Sequence, residues 1–117
     1  MSHIRAPIRL IATARSGDKG SHANIGVIAS NRQAYEFLLL ELTEDKVSSL
    51  FSELTPSSVL RYLLPNLMGI NFVLKDVLKG GAAACLRVDS QGKTFGEALL
   101  NMELMIPEEV LIRGDGA

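Results

Sequence analysis

Ile8-Arg9-Leu10-Ile11-Ala12-Thr13-Ala14-Arg15, then Ser16-Gly17-Asp18-Lys19-Gly20-Ser21-His22-Ala23-Asn24, then Ile25-Gly26-Val27-Ile28-Ala29 is the run that decides the fold. The flanking stretches are rich in β-branched and alternating apolar residues and read as two strands. The polar run between them reads as their connection. A tight reversal takes roughly two to five residues, whereas this one spends about eight, the long end for a hairpin. It fills them with a cation, an anion, two hydroxyls, an imidazole and a carboxamide. The prediction is a hairpin with an enlarged loop from Arg15 to Asn24, and that loop is the first candidate site.

Beyond the hairpin, Gln33 to Leu42 is leucine-rich and too long for an ordinary strand, so it reads as a helix. Thr43 caps a second helix, with Glu44 and Asp45 in its first turn favoured by the helix dipole. Val47, Leu50, Phe51 and Leu54 make its buried stripe, and Thr55-Pro56 stops it. Ser58 to Leu64 is short and precedes Pro65, which predicts a third strand. From Asn66 onward, Leu67, Ile70, Leu74, Val77 and Leu78 fall on one helical face up to Gly80-Gly81, predicting a third helix. Cys85 to Val88, the turn Asp89 to Lys93, and the alternating Ala98, Leu100, Met102, Leu104 and Ile106 read as a closing hairpin. The expected fold class is α+β: a two-layer sandwich, mainly antiparallel sheet with helices on one face.

A chain of 117 residues holds one domain, with a core expected from about Ile8 to Pro107. Charged residues make up 21% and apolar ones 47%, a globular composition, so disorder is expected only at the ends. Net charge is −1 with scattered basic residues, which argues against nucleic acid as a partner. A lone cysteine, Cys85, forms no internal disulfide, and its apolar neighbours predict a buried, inert thiol in a cytoplasmic protein. No run reaches the roughly 18 apolar residues of a membrane helix, and no membrane association or targeting segment is expected.

Arg15-Ser16-Gly17-Asp18-Lys19-Gly20, Ala23-Asn24-Ile25-Gly26-Val27-Ile28-Ala29, Arg61-Tyr62-Leu63-Leu64-Pro65-Asn66-Leu67 and Asn71-Phe72-Val73-Leu74 follow one another in order. Together they resemble the C-terminal domain of the acyclic terpene utilisation (AtuA-type) proteins. Gly80-Gly81, Leu86-Arg87-Val88-Asp89 and Gln91-Gly92-Lys93 fit the same pattern, so the resemblance covers nearly the whole chain. It implies a ferredoxin-like α+β fold. It also implies an association with bacterial breakdown of branched terpenes through acyl-CoA intermediates, in a family where this domain usually follows a much larger one.

Three readings of the polar loop stand side by side. Its backbone N–H groups can form an anion-binding nest, with Arg15 and Lys19 adding charge; it can contact a larger partner; or Asp18 and Asn24 can brace a turn whose glycines, Gly17 and Gly20, supply positive φ. Neither a phosphate-binding loop nor a dinucleotide fingerprint is present. Ser16 is expected to bond the local backbone. His22 reads as a surface histidine, and His3 sits in a terminus expected to be mobile, so no metal spacing exists. Arg61 and Arg87 either hold a carboxylate or face outward from half-buried strands. Asn66 is expected to cap the third helix, and Asn71 to reach a ligand or partner. Met68, Met102 and Met105 are expected to be packing residues.

Two functional classes follow. The first is a non-catalytic accessory subunit of a large AtuA-type chain, or a homo-oligomer, needing no cofactor. The second is an independent binding or enzymatic module for an acyl-CoA or other anionic small molecule at the Arg15 to Asn24 loop, with no catalytic residue identifiable.

Overall fold

From Ala23 to Ala29 every second residue is buried, as are Ile70, Phe72 and Leu74, and this period of two marks strands with one face in a core. The computed structural model describes residues 2–19, 22–77 and 95–111. Its strands are β1 (His3–Pro7), β2 (Ala12–Lys19), β3 (His22–Ala29), β4 (Ser58–Leu64), β5 (Gly69–Lys75) and β6 (Glu103–Pro107). Its α-helices of more than one turn are α1 (Arg32–Glu41), α2 (Glu44–Leu50) and α3 (Phe95–Leu100).

Four strands form an antiparallel sheet in the order β2-β3-β5-β4, while β1 and β6 make a separate antiparallel ribbon. Both β3 and β4 run antiparallel to β5, so they are parallel to each other. The α1–α2 connection between them, with β5 inserted, is a split β-α-β unit. The two-layer α+β expectation holds.

Several boundaries differ from the sequence reading. The enlarged loop is not a loop: the register runs without interruption from Ala12↔Ala29 to Lys19↔His22, so Arg15 to Lys19 and His22 to Asn24 are strand. Polar residues occupy those positions because one face of this hairpin is not covered by helices, while Ala23 and Ile25 face the core. Gly20 and Ser21 lie outside the described residues. The first strand also begins later than Ile8. Ile8–Leu10 is a 3₁₀ turn that buries Ile8, and the terminus before it pairs with β6 from His3↔Pro107 to Pro7↔Glu103. His3 is thus in a strand rather than a free end.

The helices around Leu38 and Val47 match the prediction. Asn31 Oδ1 accepts from Ala34 N at 2.9 Å and Thr43 Oγ1 from Lys46 N at 3.2 Å, so each helix carries its own N-cap. Val47 and Phe51 are buried, but Leu50 is 37% exposed, so the stripe is narrower than predicted. Phe51 meets Phe95 edge to face, ring centroids 5.5 Å apart, tying the end of α2 to the start of α3.

The third predicted helix is the largest correction. Pro65–Leu67 is a 3₁₀ turn, Met68 adopts the left-handed region, and β5 follows. Ile70 and Leu74 satisfy a helical period, yet Ile70, Phe72 and Leu74 satisfy a strand period equally well, and pairing on both sides with β3 and β4 decides for the strand. Asn66 therefore caps no α-helix, and Leu67 is 60% exposed. In the closing segment, Ala98 and Leu100 belong to α3, and only Glu103–Pro107 is extended. Met68 and Met102 pack against the core, whereas Met105 is exposed. Leu78, Gly80-Gly81, Cys85, the Cys85 to Val88 strand and the turn after it lie outside the described residues.

Candidate functional site

The sheet register assigns the candidate residues to two faces. One face packs under the helices with Ile25, Val27, Ile70, Phe72 and Leu74. On the other, one cross-strand row runs Arg15, Gly26, Asn71, Tyr62, and the next runs Gly17, Asn24, Val73, Leu60. A third row, Thr13, Ile28, Gly69, Leu64, completes the open face toward the β4–β5 turn.

Arg15, Gly17, Asn24 and Asn71, scattered over about sixty residues of sequence, are thus neighbours on one surface. Asn24 Nδ2 donates to Asn71 Oδ1 at 3.4 Å. Asn24 leans over Gly17, where a Cβ would lie 2.7 Å from the Asn24 carboxamide oxygen. Gly17 leaves room for the Asn24 side chain and has no positive φ, which corrects the turn reading. Gly26 adds no side chain between Arg15 and Asn71, and a Cβ there would lie 3.8 Å from Asn71 Oδ1. Adjacent strands are about 4.8 Å apart, so the Arg15 and Asn71 backbones stand roughly 10 Å from each other. Arg15 is exposed and makes no ion pair among the described residues. No Asp or Glu occupies any of these three rows. The face therefore presents N–H and O–H donors, suited to carboxylate or phosphate oxygens.

Two sequence candidates belong elsewhere. Ser16 Oγ accepts from Gly96 N at 2.5 Å, holding the first turn of α3 against β2. Arg61 lies on the helix-covered side rather than facing outward. Its guanidinium Nη1 donates to Leu39 O at 2.9 Å and Leu42 O at 3.1 Å, satisfying carbonyls that the end of α1 leaves open. Asn66, in the β4–β5 turn, sits at the end of the sheet opposite the β2–β3 turn. Asp18 and Lys19 pair through their backbones with Ala23 and His22. Arg87 and Gly20 lie outside the described residues.

Tyr62, 50% exposed beside Asn71, is a member of the open face that sequence reasoning missed. The alternation of Leu60, Tyr62 and Leu64 against Val59, Arg61 and Leu63 was the signal for it. His22 was also incompletely read. Its Nδ1 accepts from Asp76 N at 3.0 Å, and Ser57 Oγ donates to Asp76 Oδ2 at 2.5 Å. This trio pins the exit of β5 to the start of β3.

A groove of about 490 Å³ opens between α2 and β6, lined by Asp45, Lys46, Leu50, Met102, Glu103 and Leu104 among others. None of the sequence-predicted site residues reaches it, and it is wide open to solvent. Among the described residues no cluster of three His, Cys, Asp or Glu side chains could hold a metal, and no helix is long and apolar enough to cross a membrane.

A split β-α-β sheet with helices on one side and a donor-rich open face on the other defines the class, a ferredoxin-like α+β domain. More particularly, a family model described as the AtuA ferredoxin-like domain matches residues 6–105, and the chain belongs to that family. No curated protein and no solved structure matches it.

Proposed function

We propose that the chain is a non-catalytic accessory domain that docks on a large AtuA-type partner, in the catabolism of acyclic terpenes through acyl-CoA intermediates. The open face of the β2-β3-β5-β4 sheet is the docking surface. The observation that carries this reading is the row Arg15, Gly26, Asn71, Tyr62, an exposed cation beside a half-buried carboxamide on rows of the sheet free of carboxylates. Such a face favours an acidic protein surface, since complementary charge speeds encounter and fixes orientation. A large AtuA-type partner is the expectation that the resemblance of the chain to AtuA-type proteins raises.

A second reading rests on the register that sets Arg15, Gly26 and Asn71 in one row: a small carboxylate or phosphate ester held by Arg15 and Asn71. Co-expression of the chain with a large AtuA-type chain from the same organism, followed by native mass spectrometry, separates the two. A stoichiometric complex that Arg15→Glu dissolves supports docking. Absence of any complex, together with saturable binding of coenzyme A or a short acyl-CoA that Arg15→Glu removes, replaces it with the second reading.

A further inference from the structure

At the edge of the sheet remote from β2, the outer side of β4 pairs with no strand among the described residues. A free edge is a row of unpaired N–H and C=O groups, which monomers blunt with charges, proline, a bulge or a covering segment. The opposite edge, β2, carries Arg15, Asp18 and Lys19 in its sequence. β4, Ser-Val-Leu-Arg-Tyr-Leu-Leu, contains no proline and one charge, and no described strand lies along its outer side. Its register with β5 runs without a bulge from Ser58↔Lys75 to Leu64↔Gly69. Its single charge, Arg61, is turned onto the α1 carbonyls. Tyr62, Leu63 and Leu64 are 50%, 49% and 41% exposed, an apolar run on an open edge.

We propose that a second copy of this chain pairs with β4, antiparallel, across a two-fold axis at Tyr62. In that register Tyr62 meets Tyr62 of the second copy, Leu60 meets Leu64 and Arg61 meets Leu63. Each pairing matches like faces: Leu60, Tyr62 and Leu64 belong to the open side, Arg61 and Leu63 to the helix side. Aromatic and aliphatic cross-strand pairs of this kind stabilise antiparallel sheets, whereas a centre at Arg61 would set two guanidiniums opposite each other. The self-complementarity of the strand is what selects a second copy over an unrelated strand. Among the described strands both outer edges are then β2, whose sequence charges oppose further addition. The open face would continue across the axis, with the Arg15 rows of both copies on one side.

Sedimentation of the full chain over a concentration series tests this. The wild type is expected to be a reversible dimer. Tyr62→Lys and Tyr62→Glu, at a half-exposed position, should each keep the circular dichroism spectrum and raise the dimer Kd about tenfold or more, by setting like charges opposite each other. An equimolar mixture of the two should recover the dimer, because lysine then faces glutamate at the axis. A wild type that is monomeric throughout, a dimer indifferent to Tyr62→Lys, or a mixture that stays monomeric overturns the proposal. Arg15→Glu, three strands away, should leave the dimer intact, so loss of docking on a large chain and loss of self-association are read separately.

Discussion

Replacing Arg61 by Met keeps the aliphatic stem of the side chain and removes only the guanidinium. In the structure that group donates to Leu39 O at 2.9 Å and Leu42 O at 3.1 Å, where α1 runs out of intrahelical donors. A hydrogen bond from a charged donor contributes about 1.5–3 kcal/mol, and a cation at a helix C-terminus adds about 0.3–1 kcal/mol. Arg61 is only half-buried, so water replaces part of what is lost. The expected net cost is about 2–3 kcal/mol. For a domain of this length 1 kcal/mol corresponds to about 4 °C, so Tm should fall by roughly 8–12 °C. The assay is thermal and urea unfolding followed by circular dichroism, with native-state hydrogen exchange across α1. Arg61→Lys, still cationic but without the planar fork, should recover about half of the loss. A Met variant within about 0.5 kcal/mol of the wild type, with unchanged exchange in α1, would show that Arg61 does not hold the helix end.

Leu74→Ala should cost about 2–5 kcal/mol in urea unfolding because Leu74 is fully buried, while Leu50→Ala, 37% exposed, should cost less than half as much. Equal costs would mean that the burial of α2 is misassigned. Ser16→Ala removes the acceptor for Gly96 N and should destabilise by about 0.5–2 kcal/mol without altering association with a large chain. Gly17→Ala forces Asn24 off its position, since the new Cβ would sit 2.7 Å from its oxygen. It should weaken docking while Tm shifts by no more than about 4 °C, and unchanged docking would remove the Asn24–Asn71 pair from the surface.

Helix α2 was legible because what makes it is local: Thr43 caps Lys46, and every other backbone bond lies within a turn or two. The β4 strand was legible from its length and the proline after it. The β5 strand was not, since Ile70 and Leu74 suit a helix as well as a strand until β3 and β4 are in place on either side. The polar segment from Arg15 to Asn24 was marked by composition as a candidate site, and Arg15, Gly17, Asn24 and Asn71 do share a surface. Its backbone state was misread because glycine, serine and charged residues suit an open sheet face as well as a loop.

The sequence alone determined the α+β class, the helices that cap themselves, the family, and the residue types available for a site. Tertiary structure decided that β5 is a strand, that Arg61 belongs to the end of a helix, and that Arg15, Asn24, Asn71 and Tyr62 meet. The physical reason is the range of the hydrogen bonds. A helix satisfies its backbone with residues three or four positions away, whereas a strand depends on partners far along the chain. Only when those partners are aligned is it settled which face of each strand is buried and which side chains become neighbours.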